Sequence, residues 1–308
     1  MSGVLYAIGQ TPIVPLARLS PPGRMVYAKL EWHNPGGSVK DRPALYMLRT
    51  ALEDGRLRPG GLVVEPTAGN TGIGLALVGR ALGLEVVCVM PARFSPAKKA
   101  LMEAYGATVV TTPAEGGMEA AIAKAREIAA VEGGFVPNQF RNPANVQAHY
   151  ETTGPEFYRQ LEGRIDAVVL GGGSMGTFTG VVRYLKERLP RLKAYLVQPE
   201  GSYLVGECGP HKVEGIGADS PETTALLDCA LVDGVWKVTD REAHAMLQRL
   251  GREEGVLPGG SGAAAAVVAL AVAAQLPEGA RVATLFPDHA ERYLVQGILG
   301  RFEEWKKP

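Results

Sequence analysis

The sequence predicts an α/β protein of two lobes, each a mostly parallel twisted sheet flanked by helices, with a ligand site in the cleft between them. Three observations predict it. Short apolar runs alternate with helical stretches along most of the 308 residues. Glycine-rich turns stand where a strand passes into a helix, at Pro66–Gly72 and Gly171–Thr177. A polar stretch, Gln139–Thr153, offers a crossing between two such units. The expected lobes are a smaller one over 36–146 and a larger one over 147–308, the latter joined by part of 1–35.

In chain order, Gly61–Glu65 (GLVVE) reads as a strand, followed by a turn and a helix over Ile73–Leu82. Glu85–Met90 is the next strand and Ser95–Tyr105 the next helix; Thr108–Thr111 and Met118–Val131 repeat the pair. Ile165–Leu170, Ala194–Gln198 and Val282–Phe286 are strands of the second unit. Apolar runs of this length without alternation suit parallel strands buried on both faces. The longest apolar run, Ala263–Ala274, is Ala-rich and shorter than the roughly 20 residues that span a bilayer, so it reads as a buried helix.

Composition narrows the function classes. Hydrophobic residues make up 46% and charged residues 21%, and 32 basic residues balance 32 acidic ones. That balance gives no electrostatic reason for a nucleic-acid or membrane partner. The three cysteines form no CxxC pair and the five histidines are scattered, so neither a disulfide framework nor a metal site is expected. Cys208 reads as a plain apolar thiol rather than a reactive one. No signal peptide is evident at the N-terminus, and a cytoplasmic location is the default.

Four motifs point to chemistry. In Glu31–Arg42 (EWHNPGGSVKDR), Asn-Pro-Gly-Gly is turn chemistry and Ser38 is expected to cap a following helix, with Lys40 in its first turn. A lysine is out of place at the positive end of a helix, where the field lowers its pKa and favours a nucleophilic free amine. The plain alternative is a solvated lysine next to Asp41. Pro66–Gly72 (PTAGNTG) exposes backbone N–H groups at a helix start, with Thr67, Asn70 and Thr71 adding side-chain hydrogen bonds; the alternative is a capped turn. Gly171–Thr177 (GGGSMGT) is a second anion cradle, suited to a phosphate monoester, with hydroxyls from Ser174 and Thr177. It also satisfies GxGxxG through Gly171, Gly173 and Gly176, with Glu200 near the end of the next strand, which is the pattern of an NAD-dependent oxidoreductase. That reading leaves Lys40 and the TAGNT turn unexplained. In Gly259–Gly262 (GGSG), Ser261 is either a buried hydroxyl facing a ligand or a helix N-cap, and local grounds favour the cap.

In that order and over nearly the whole chain, from Thr11-Pro12 to FPDHAERYL at Phe286–Leu294, these motifs resemble the cysteine synthase and cystathionine β-synthase family. Those are fold-type-II pyridoxal-phosphate (PLP) enzymes with a tryptophan synthase β-like architecture. The resemblance implies Lys40 as the Schiff-base lysine. It implies a phosphate site at Gly173, Ser174, Met175, Gly176 and Thr177, Ser261 against the pyridine nitrogen, and Asn70 facing the ring hydroxyl. The substrate carboxylate falls to Thr67, Ala68, Gly69, Asn70 and Thr71, with Gln139 of Asn138–Phe140; Gly215 of Glu214–Gly217 lines the open face. Two departures stand out. Ala68 replaces the usual serine, removing a hydrogen bond worth on the order of 1 kcal/mol. Met175 stands where glycine or threonine is usual, which is tolerable if only its N–H is used.

The implied activity is β-replacement on O-acetylserine or a related serine derivative by a thiol. Sulfide, giving cysteine, is the broad expectation; homocysteine, giving cystathionine, is the alternative. A neutral Ser261 does not hold the pyridine nitrogen protonated as a carboxylate would, which suits β-elimination over transamination. The expected partners are an amino-acid substrate, a thiol and a second copy of the chain. Neither an N-terminal haem segment nor C-terminal regulatory repeats are expected.

Overall fold

The computed structural model describes residues 3–92 and 95–306. Two short N-terminal strands come first, β1 (Ile13–Pro15) and β2 (Met25–Leu30), then helix α1 (Asp41–Glu53). The expected alternation follows: β3 (Leu62–Pro66), α2 (Asn70–Ala81), β4 (Glu85–Pro91), α3 (Pro96–Ala104), β5 (Thr108–Thr112) and α4 (Gly117–Glu132). Helices α5 (Pro143–Ala148) and α6 (Gly154–Gln160) flank a π-helical turn at His149–Thr153. The second run is β6 (Ala167–Gly171), α7 (Gly176–Arg188), β7 (Lys193–Pro199), β8 (Gly234–Val238), α8 (Asp240–Arg249), α9 (Gly260–Gln275) and β9 (Arg281–Phe286).

These strands form two sheets. One is β3-β4-β5, parallel throughout; the other runs β1-β2-β9-β6-β7-β8 and is parallel except for the β1–β2 pair. The chain start thus completes a sheet built by the chain end, with Val26 opposite Val282 and Leu30 opposite Phe286. Central β6 (AVVLG) is buried along Ala167–Leu170, as expected for a parallel strand covered on both faces. Helix α9 packs on β9 and β6 with Ala263–Ala266, Val268 and Ala269 all buried; small side chains let it lie close to the sheet.

A fully buried charge network ties α1 to this frame. The Arg42 guanidinium forks onto Glu31 through Nε (2.7 Å) and NH2 (2.8 Å), and onto Glu156 through NH1 (2.7 Å) and NH2 (2.8 Å). Lys29 Nζ meets the same Glu156 at 2.7 Å. Thr11 donates its hydroxyl to Glu31 at 2.7 Å. Two cations and two carboxylates therefore cancel inside the protein, joining β2, α1 and α6. Burying charge is tolerable only when it is paired and hydrogen-bonded in this way.

Candidate active site

The motifs converge on one cavity with an outer mouth. Lys40, Asn70, Gly173, Ser174, Met175, Thr177, Gly215 and Ser261 line its inner part, together with Asp288. Thr67, Ala68, Gly69, Thr71 and Gln139 line the mouth, which shares Lys40, Asn70, Gly173, Ser174 and Gly215 with the inner part. Gly176 stands back from both; a Cβ there would sit 2.1 Å from Asn145 Oδ1, so the glycine serves close packing of α7 on α5.

Lys40 occupies a tightly specified backbone position. Gly37 is left-handed at φ +74°, and a Cβ on Gly36 would fall 2.3 Å from Asp41 Oδ1. Asp41 instead accepts the Gly36 N–H at 2.5 Å. Val39 donates to the Pro287 carbonyl at 2.8 Å and Ser38 bridges Asp288, which pins the segment to the end of β9. The expected Ser38 cap is not formed. Lys40 itself is the N-cap residue of α1, and Ser38 Oγ accepts the Lys40 N–H at 3.2 Å, because the bridge to Asp288 holds Ser38 outside the helix. The Lys40 ammonium is pushed down chiefly by burial, against the pull of the Asp288 carboxylate. The lowered pKa expected from the helix end is therefore present, with desolvation as its main cause.

The loop after β6 is an anion cradle. Gly172 donates to Val197 and Thr179 to Met175, but none of the amides of 173–177 finds an acceptor among the described residues. Free N–H groups at the start of a helix are donors in want of an anion. Met175 takes φ +67°, and its side chain is buried in the apolar cluster with Leu170, Phe178 and Leu196, so only its backbone faces the cavity. Ser174 Oγ accepts from Asn145 Nδ2 at 3.0 Å, which leaves its proton to donate. Thr177 Oγ1 lies 3.1 Å from His149 Nε2, and His149 Nδ1 lies 2.9 Å from Thr153 Oγ1. Burial, with Arg42 and Lys40 nearby, holds the His149 imidazole neutral. Glu200, the ribose-binding acid of the dinucleotide reading, accepts the Asp240 N–H at 3.1 Å and serves the start of α8 instead.

The 66–72 loop enters α2 with Gly69 as N-cap. Asn70 Nδ2 donates to Asp288 Oδ2 at 2.6 Å, and Asn70 Oδ1 accepts from Arg292 NH1 at 2.8 Å. Thr71 donates its hydroxyl to Gln139 Oε1 at 2.8 Å, which joins the two segments expected to share a carboxylate. Ser261 is 3% exposed and does not cap α9; Gly259 takes that position, its N–H bound to the Asp288 carbonyl at 2.9 Å. The Ser261 hydroxyl is left to the cavity, where a Cβ on Gly215 would come no nearer to it than 4.0 Å.

The residues present fit a phosphorylated aldehyde cofactor. A depressed lysine amine, a row of free amides with two hydroxyls, and a neutral hydroxyl in the same cavity are the donor set such a group requires. Sequence reasoning missed Asp288, which is fully buried and leaves Oδ1 without a partner while Oδ2 receives Asn70 and the Tyr293 hydroxyl. It also missed His149 and Asn145 behind the cradle. Cys208, expected to be an apolar thiol, is exposed. Among the described residues no group of side chains could hold a metal ion, and no helix is long and apolar enough to cross a membrane.

Residues 4–288 match the family described as "Pyridoxal-phosphate dependent enzyme". A cysteine synthase of Helicobacter pylori is 43% identical over 298 residues, covering 95% of this chain and 96% of that protein. The O-acetylserine dependent cystathionine beta-synthase of Bacillus subtilis is 42% identical over 302 residues, covering 97% of each. The crystal structure of O-acetylserine dependent cystathionine beta-synthase from Helicobacter pylori superposes with a TM-score of 0.89 at 42% identity, covering 97% of this chain and 98% of that one. The chain therefore belongs to the pyridoxal-phosphate-dependent enzymes, in the cysteine synthase and cystathionine β-synthase family.

Proposed function

We propose that the protein replaces the acetate of O-acetylserine with sulfide to give L-cysteine, using PLP carried by Lys40. One observation carries this reading: Lys40, Asn70, Ser261 and the loop residues Gly173, Ser174, Met175 and Thr177 with their free amides meet at a single cavity whose mouth is lined by the 67–71 turn and Gln139. Gly173, Ser174, Met175, Gly176 and Thr177 would hold the phosphate, Asn70 the ring hydroxyl and Ser261 the pyridine nitrogen. Thr67, Ala68, Gly69, Asn70, Thr71 and Gln139 would bind the substrate carboxylate, and Gly215 would line the open face.

When bound, PLP supplies an electron sink for charge that develops at Cα. The protein's part is positioning and proton transfer. Lys40 Nζ would hold the cofactor and, as a free amine beside the substrate, would accept the α-proton. Burial lowers the pKa of this amine, so it loses its proton more readily than a surface lysine and is available as a free base. Acetate would leave Cβ with its bonding pair, the deprotonated thiol sulfur would form the new C–S bond at Cβ, and Lys40 Nζ would return the α-proton to Cα. The 67–71 turn and Gln139 would hold the carboxylate at a mouth that Lys40 also lines.

The relatives named above support O-acetylserine as the donor. A second reading, homocysteine as the thiol, is favoured by the Bacillus subtilis relative, whose name specifies cystathionine synthesis at 42% identity. We further propose that 36–146 and 147–308, with part of 1–35, act as two lobes about the cavity, and that the enzyme is a cytoplasmic homodimer. The separate β3-β4-β5 sheet supports the first of these. The test is a competition with PLP-loaded protein, O-acetylserine and equal sulfide and homocysteine. Cysteine as the main product is expected. Mostly cystathionine would move the enzyme to the second reading, and neither product would overturn β-replacement on O-acetylserine.

A further inference from the structure

We infer that Glu65 is a positioning residue for recognition of the substrate carboxylate, acting through the backbone of Asn138 and Gln139. The inference rests on the reading of Gln139 as a carboxylate ligand. Glu65 lies near the end of β3 and is 2% exposed. No cation pairs with it among the described residues. Its two oxygens instead accept backbone N–H groups, Oε2 from Asn138 at 3.0 Å and Oε1 from Gln139 at 3.4 Å. An ion buried without a counter-ion is costly, and burial pushes the Glu65 carboxyl up to about 7. A carboxylate at such a position has a use that glutamine lacks: both of its oxygens accept, so it takes two convergent N–H groups, whereas an amide would turn its own N–H toward one of them.

The segment it holds needs holding. Phe135 pairs along β3, donating to Leu62 and accepting from Val64, both at 2.8 Å, and the chain then leaves the sheet edge. Asn138 adopts a left-handed φ of +52°, which is uncommon for a residue with a Cβ. The resulting turn aims Gln139 at the mouth of the cavity. Gln139 is then fixed on three sides: its N–H by Glu65, its carbonyl by Asn145 Nδ2 at 2.8 Å, and its Oε1 by the Thr71 hydroxyl at 2.8 Å. Its Nε2 takes no partner among the described residues and is the donor left for a carboxylate. Neither Glu65 nor the Asn138 backbone lines the cavity, so Glu65 acts only through Gln139.

The test combines Glu65→Gln, Gln139→Ala and the double variant in the PLP-loaded enzyme, with hydrogen exchange on the cofactor-free wild type. At pH 8, above the raised value of about 7 so that Glu65 is mostly ionised, losing one hydrogen bond to a charged group predicts a KM for O-acetylserine raised about tenfold in Glu65→Gln, with kcat and the KM for sulfide changed far less. In the Gln139→Ala background the same change should add nothing. In the wild type, the N–H groups of Asn138 and Gln139 should exchange slowly although Asn138 is exposed. An unchanged KM in Glu65→Gln, an equal further loss in the double variant, or fast exchange at both amides would each overturn the role of Glu65. If Gln139→Ala alone left the KM for O-acetylserine unchanged, the carboxylate reading beneath the inference would fall instead. The exchange measurement needs no variant to fold.

Discussion

Replacing Arg42 with methionine removes the centre of the buried charge network while keeping an apolar stem of similar length. The guanidinium makes four contacts of 2.7 to 2.8 Å to Glu31 and Glu156, and all three side chains are at most 3% exposed. Deleting it leaves two buried carboxylates facing Lys29 alone. Removing one partner of a buried pair costs about 3–5 kcal/mol, and the same range is expected here. Proton linkage gives the loss a signature. In the wild type Glu156 is held down to about 2: burial alone would raise it, but the Arg42 and Lys29 contacts outweigh burial. Its contribution is therefore complete above the ordinary glutamate range near 4.5 and is lost as pH falls from there toward 2. In the variant, burial without Arg42 raises a carboxyl above its unfolded value. The folded variant then takes up a proton, and its deficit shrinks as pH falls through the raised value. Lys29 is pulled both ways, downward by burial and upward by Glu156 and Glu31, and burial is the larger effect; the 2.7 Å bridge keeps it paired with Glu156. Urea unfolding of the cofactor-free protein at pH 8 and pH 5 reads both effects. A loss below about 1 kcal/mol, or one equal at the two pH values, would mean that Arg42 does not neutralise the buried carboxylates.

Other changes probe the site and its support. Gly180→Ala would put a Cβ 2.3 Å from the Val146 carbonyl oxygen and 2.8 Å from His149 Cβ. Overpacking there should cost about 1–3 kcal/mol, read as a lower thermal midpoint; an unchanged midpoint would contradict the tight α5–α7 contact. Ala68→Ser restores a hydroxyl at the mouth and should lower the KM for O-acetylserine by about fivefold, one hydrogen bond's worth; kinetics at saturating sulfide would show it. Ser261→Asp should bring in transamination, measured as keto-acid production from the amino-acid substrate, and an unchanged product spectrum would sink the stated role of the neutral hydroxyl.

The strands and helices of the two parallel runs were legible because a strand buried on both faces is an uninterrupted apolar run, as in AVVL of β6. Three strands were not. Strand β2 (MVYAKL) carries Lys29, whose charge is neutralised by Glu156 from far along the chain, so nothing local marks it as buried. The edge strands β1 (IVP) and β8 (GVWKV) are short or half exposed. The site was legible as motifs, since a lysine after a glycine turn and glycine-rich helix starts are local signals. What arms them is not local. Asn70 and Asp288 are 218 positions apart, and Thr177 and His149 are 28 apart. The two serine caps failed for the same reason: the backbone of residue 288 occupies Ser38 and Gly259 and decides where α1 and α9 begin. A capping preference of about 1 kcal/mol yields to such contacts.

Borohydride reduction of the PLP-loaded protein, followed by peptide mass spectrometry, locates the pyridoxyl group and tests the role of Lys40. The group is expected on Lys40 and is expected to be lost in Lys40→Ala, together with turnover of O-acetylserine. A group fixed on another lysine, or a Lys40→Ala variant that keeps both the mark and the activity, would contradict that role.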